Sequence, residues 1–195
     1  MIGRLTGRLV AKQPPQLVVD VNGLGYELEA PMSTFYKLPA VGENVTLHTH
    51  LTVREDAHLL FAFATQQEKN LFRELIKVSG VGPKSALSVL SGVSVEDFWN
   101  TVRVGDSLRL TKIPGIGKKT AERLVVDLRD KAGAAELVTP ASISAAAGSP
   151  LQEARGALAA LGYKPAEIER FTQAVYKDGM STEQIIQEAL KRAVR

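Results

Sequence analysis

Cysteine is missing from all 195 residues of this chain. Its absence excludes disulfides, cysteine-ligated zinc, iron–sulfur clusters and thiol catalysis. It also suits a reducing cytosol. No apolar run approaches the roughly 18 residues of a membrane span. The opening Met-Ile-Gly-Arg-Leu-Thr lacks the form of a signal peptide. No Gly-x-x-x-x-Gly-Lys-Ser/Thr loop is present, so ATP hydrolysis is not expected of this chain. The three histidines, His48, His50 and His58, have no partners at metal-ligand spacing. The expectation is a soluble, cytoplasmic protein without membrane contact, metal or cofactor.

What is present divides by segment. Residues 1–64 read as β structure. Residues 17–21 are Leu-Val-Val-Asp-Val, Asn22-Gly23 gives a turn, and Tyr26, Leu28 and Ala30 alternate with Glu27 and Glu29. Val45, Leu47, Thr49, Leu51 and Val53 alternate with Thr46, His48, His50 and Thr52. Period 2 with Asn-Gly turns predicts antiparallel strands with one buried face, leaving His48 and His50 as a solvent-facing pair. Residues 2–11 and 58–63 bring the strand count to five, which suits a small OB-like barrel.

At Thr65 the period changes. Thr65-x-x-Glu68 is a capping box, and Leu71, Phe72, Leu75 and Ile76 follow at helical spacing. Ser94-x-x-Asp97 starts another helix near Trp99, itself expected to pack among helices. Residues 132–149 are small, almost uncharged and without hydrophobic pattern, and read as a flexible linker continuing any frayed helix end. Residues 150–195 read as three helices, capped by Ser149, opened by Pro165 and capped by Ser181. The fold class is therefore α+β and multidomain. It comprises a barrel at 1–64, a helical domain at 65–131, a linker at 132–149 and a small helical domain at 150–195.

Net charge is +3, and the positive excess is largest in the middle: residues 1–64 carry −1, 65–142 carry +3 and 143–195 carry +1. That segment also holds an internal repeat. Residues 76–90, IKVSGVGPKSALSVL, align without gaps on residues 111–125, TKIPGIGKKTAERLV. Lys77, Gly80, Gly82, Lys84 and Ala86 match Lys112, Gly115, Gly117, Lys119 and Ala121. A repeat within one sequence indicates a duplicated unit.

Each unit reads as helix, Gly-apolar-Gly, helix. The first glycine is expected to stop the incoming helix in a left-handed conformation. The apolar residue, Val81 or Ile116, tucks between the helices. The second glycine lets another backbone approach. The next helix starts with free N–H groups and a positive dipole end, which suit a phosphate oxygen. Lys84, Lys118, Lys119 and Arg123 add charge beside it. This is the pattern of the helix–hairpin–helix, which binds DNA through its backbone rather than its base edges. The candidate contacts are Ser79, Gly80, Val81, Gly82 and Lys84 in the first unit. In the second they are Gly115, Ile116, Gly117, Lys118, Lys119 and Arg123.

The ordered set of barrel, tandem hairpins, linker and small helical domain resembles the RuvA family of Holliday-junction-binding proteins. The resemblance covers essentially the whole chain. It rests on residues 1–7 (MIGRLTG), 22–26 (NGLGY), 53–57 (VREDA), 75–84 (LIKVSGVGPK) and 113–124 (IPGIGKKTAERL). It implies a homotetramer, or two enclosing the junction, that holds a four-way junction open and square-planar. It implies recruitment of the hexameric AAA+ motor RuvB by the C-terminal domain, with the endonuclease RuvC as a further partner. It also implies that Glu55 and Asp56 form an acidic pin at the tetramer centre, repelling phosphates there. By residue type alone the pair is a solvated turn. Leu158, Leu161, Tyr163, Ile168 and Phe171 are either part of a motor-binding face or core.

Two other functions compete. A helix–hairpin–helix glycosylase or lyase would also use the Pro114–Ala121 hairpin, but the helical domain is too small to surround a flipped base. A single-strand binder would use the barrel, which is net acidic and poor in aromatic platforms.

Overall fold

In a computed structural model the chain is described at residues 1–135, 149–177 and 179–193. Five strands come first: β1 (Arg4–Gln13), β2 (Gln16–Val21), β3 (Leu24–Glu29), β4 (Asn44–Val53) and β5 (His58–Phe63). They close into a barrel in the order β1-β2-β3-β5-β4. All neighbours are antiparallel except β3 and β5, which run parallel through the pair Glu29 and Phe61. On β1 the register shifts between Leu9 and Ala11, so Val10 is an extra, exposed residue that bends the strand around the barrel. Leu9, Val19, Leu28 and Leu47 fill the interior, as the period-2 pattern requires. Val53, expected on the inner face, is exposed because β4 has run past the barrel by then.

A short helix, α1 (Met32–Phe35), links β3 to β4. Four residues are too few for a helical period to show in the sequence. Next come α2 (Gln66–Leu75), α3 (Pro83–Gly92), α4 (Val95–Val104), α5 (Ser107–Leu110) and α6 (Lys118–Ala135). The capping box at Thr65 forms. Its hydroxyl accepts from the Glu68 N–H at 3.2 Å, and the Glu68 carboxylate accepts from the Thr65 N–H at 3.1 Å. Glu68 is buried and also accepts from the Thr34 hydroxyl at 3.4 Å, tying α1 to α2. The Ser94 cap also forms, with the hydroxyl accepting from the Asp97 N–H at 3.0 Å.

Residues Met1–Ala135 make one compact unit. Phe61 and Phe63 on β5 turn outward from the barrel and meet Phe72 of α2, each with ring centroids 5.0 Å apart. All three rings are fully buried, so the barrel's outer face and the helices share one core. Trp99 packs at the edge of that core, its ring edge-on to Phe98 at 5.5 Å.

The second unit, Glu136–Arg195, holds α7 (Pro150–Ala160), α8 (Pro165–Val175) and α9 (Thr182–Ala193). Ser149 precedes α7, but its hydroxyl makes no cap hydrogen bond; Pro150 at the first position starts the helix without it. The Ser181 cap forms, accepting from the Gln184 N–H at 3.3 Å. The predicted linker needs trimming at its start, where residues 132–135 belong to α6 because alanine continues the helix. Positions 136–148 of that prediction lie outside the described residues. Among the described residues no helix is long and apolar enough to cross a membrane.

Candidate nucleic-acid interface

The two repeat units adopt the same backbone. Val81 N–H donates to the Val78 carbonyl at 3.0 Å, and Ile116 N–H donates to the Ile113 carbonyl at 3.1 Å. Ala86 N–H reaches the Gly82 carbonyl at 3.0 Å, and Ala121 N–H reaches the Gly117 carbonyl at 2.9 Å. Val81 and Ile116 are buried between their helices, as expected. Gly80 (φ 88°) and Gly115 (φ 83°) occupy the left-handed region. They do not stop a helix, because α2 and α5 have ended five residues earlier, at Leu75 and Leu110. Each instead sits third in the four-residue turn that Val81 or Ile116 closes, where positive φ is required.

Gly82 and Gly117 open α3 and α6. Both are exposed, and a Cβ on either would meet nothing within 4 Å. None of the described residues uses the space they leave. Among the described residues, the N–H groups of Gly80, Gly82, Gly115 and Gly117 have no backbone partner. Beside them, Lys84, Lys118 and Lys119 are exposed and carry no ion pair to a described residue. Unpaired N–H groups at a helix start, with ammonium groups alongside, make a site for an anionic oxygen.

The two sites are neighbours. Arg123 on α6 donates from Nη1 to the Ser79 carbonyl of the first hairpin at 3.2 Å. Ser85 on α3 lies by the second hairpin, its Oγ 3.9 Å from where a Cβ would stand on Gly115. Arg123 is therefore also a brace between hairpins, a role the repeat did not reveal. Charge is partly neutralised further out. Arg109 faces Asp97 at 3.6 Å, and Glu74 binds Lys77 at 2.7 Å together with Lys131.

Glu55 and Asp56 lie at the tip between β4 and β5, closed by Arg54 N–H donating to the Ala57 carbonyl at 2.9 Å. Both side chains are exposed and have no ion pair among the described residues.

The histidines are not the solvent-facing pair expected from alternation. His48 and His50 are half-buried, and His50 stands edge-on to Phe72 of α2 at 5.6 Å. No three metal-ligating side chains gather among the described residues.

In the second unit, Leu158, Ile168 and Phe171 form the core with Ala189. Tyr163 packs at its edge, its ring perpendicular to Phe171 at 6.1 Å. Leu161, 62% exposed, is the one of the five that faces solvent fully.

Three family models match the chain. Residues 1–62 match one described as the RuvA N terminal domain, 72–130 a SAM-like helix-hairpin-helix tandem, and 149–194 the RuvA C-terminal domain. Among curated relatives, the Holliday junction branch migration complex subunit RuvA of Pseudomonas aeruginosa (strain LESB58) is 53% identical over 100% of both chains. The proteins of that name from Thioalkalivibrio sulfidiphilus and Stutzerimonas stutzeri are 53% and 51% identical over the same full span.

Proposed function

The chain belongs to the RuvA family, and on that premise we propose that it binds Holliday junctions during branch migration. It does so without catalysis of its own, through the phosphate backbone. The observation that carries this is the pair of matching hairpins, whose N–H groups and lysines, without partners among the described residues, lie side by side. Ser79 to Gly82 with Lys84, and Gly115 to Lys119 with Arg123, contact phosphates of one duplex arm. Such contacts give affinity without sequence preference.

A single chain grips one arm modestly. Four copies, as a homotetramer, grip four arms at once and gain by effective concentration. Glu55 and Asp56 then gather near the crossover. Their exposed, unpaired carboxylates repel phosphates there and disfavour both a stacked junction and a continuous duplex. This is what holds the junction open and square-planar. The C-terminal unit recruits the AAA+ motor RuvB, and Leu161 with the edge of Tyr163 offers its accessible apolar contact. RuvC acts on the same complex. The reading includes a cytoplasmic location.

The test compares a synthetic four-way junction with linear duplex of matched sequence, at two salt concentrations with competitor DNA. Junction preference that survives the higher salt is expected. Equal, salt-sensitive binding to both would overturn junction selectivity. In the same assay, Glu55→Lys combined with Asp56→Lys should raise affinity for plain duplex. Unchanged selectivity would remove the acidic tip from the account.

A further inference from the structure

Basic residues continue beyond the hairpins. Lys69, Arg73 and Lys77 stand four residues apart along α2 and the turn that follows it. Steps of four keep them on one side of the helix, about 6 Å apart along its axis. Lys77 is three residues before Gly80, so this row starts at the first hairpin. At its far end it reaches the barrel, where Lys69 Nζ donates to the Gly3 carbonyl at 2.9 Å. The next residue, Arg4, faces His48 across the β1–β4 ladder, and His50 follows on the same face of β4.

Lys77, where the row meets the hairpin, is paired with Glu74 at 2.7 Å, but the rest of the row is not neutralised. Arg4, Lys69 and Arg73 have no ion pair among the described residues. Of the acids of α2, Glu68 is held by the Thr65 cap, Thr34 and Lys37, and Glu74 by Lys77 and Lys131 rather than by Lys69 or Arg73. On the barrel, Asp20 stands opposite Arg8, further along β1. Burial, and then the charges of Arg73 and Lys69, push the His50 imidazole towards its neutral form. Burial and Arg73 likewise make the Lys69 ammonium easier to deprotonate. Cations held this closely repel one another, and a bound anion relieves that repulsion.

We propose that Arg4, His48, His50, Lys69 and Arg73 form a second phosphodiester-binding surface. It carries the DNA track from the first hairpin along α2 and onto the outer face of the barrel. The proposal rests on the DNA-binding reading above. A DNA strand is favoured as occupant because the row is continuous with the hairpin site.

The test uses the full chain and a long-armed four-way junction over a salt series. The variants are Lys69→Gln with Arg73→Gln, Arg73→Gln alone, and Lys12→Gln as a control of equal charge on an exposed residue elsewhere. Losing two phosphate contacts should lower the slope of log K against log salt by about 1.8, and losing one by about 0.9. Affinity should fall roughly tenfold for the double variant, about 1.4 kcal/mol on the affinity scale. Phosphate-ethylation interference should vanish at a block of phosphates flanking those at the hairpin. The His50 imidazole pKa, followed by NMR, should rise when junction DNA binds. Arg73→Gln alone covers the case in which losing the Lys69–Gly3 bond loosens the barrel. The proposal is overturned if wild type binds the junction while the variants keep its slope and interference pattern. It is equally overturned if Lys12→Gln lowers the slope as much. Failure of the wild type to bind any DNA would overturn this surface and the DNA-binding reading together.

Discussion

Gly80 and Gly82 are two residues apart and answer to different constraints. Gly80 needs φ near 88°, which an L side chain adopts only with strain. Gly82 sits at φ −85° and ψ 171°, open to any residue, with empty space where a Cβ would go. Gly80→Ala should therefore cost about 1–2 kcal/mol in denaturant unfolding. Gly82→Ala should leave stability within about 0.5 kcal/mol yet weaken junction binding. Unchanged binding would mean that no DNA backbone comes close there. Lys119 is exposed and makes no ion pair with a described residue, so Lys119→Glu should leave the fold intact. It should weaken junction binding roughly tenfold and lower the salt slope by about 0.9. Arg123→Glu tests two things at once, because Arg123 also braces the Ser79 carbonyl. The glycines and lysines were legible from the repeat alone. The brace was not, since Ser79 and Arg123 are 44 residues apart in the chain.

At the scale of elements, the caps show where local reading works. Thr65 and Ser181 cap as their spacing predicts, because the bonded groups lie within three residues. Ser149 has the right residue type without the bond, and proline does the work of starting α7. The anchoring of α2 to α6 is a different matter. Glu74 on α2 binds Lys77 nearby and Lys131 on α6. Partial burial pushes its carboxyl upward, but hydrogen bonds from Lys131 and Lys77 outweigh this and hold it below its usual value of 4.5. A carboxyl lowered in the folded state favours folding when ionised. That contribution is complete above 4.5 and drains away as pH falls below it, through the lowered value. Glu74→Gln should be less stable than wild type at neutral pH and lose less stability on acidification below 4.5. Parallel acid-denaturation curves for the two proteins would contradict this. Nothing in the sequence marks Glu74, whose partner on α6 is 57 residues away.

For the whole molecule, the division into units bears on function. Met1–Ala135 is compact and contains both hairpins and the acidic tip, while α7 to α9 pack around their own core. Deleting residues 150–195 should leave junction affinity within about twofold, a change of about 0.4 kcal/mol by the affinity scale. It should abolish stimulation of the RuvB motor. A truncated chain that still stimulates the motor would refute the assignment of that role to α7–α9. The same scale explains the misread histidines. Alternation along β4 correctly separated inner from outer face, but Phe72 of α2 then came against His50 on the outer one.

Strand alternation, the capped helix starts and the two Gly-apolar-Gly turns could be read directly because each depends on residues within a few positions. The repeat at an offset of 35 added a second copy of the same local rule. From these came the fold class, the domain order and the candidate phosphate contacts. Folding in three dimensions settled the rest. It buried Phe61 and Phe63 of the barrel against Phe72 of a helix, braced one hairpin with an arginine from the other, and took Lys77 and Lys131 onto Glu74. Burial and charge pairing depend on which distant segments meet. A linear pattern records a residue's own preference, not the identity of the surface that comes to cover it.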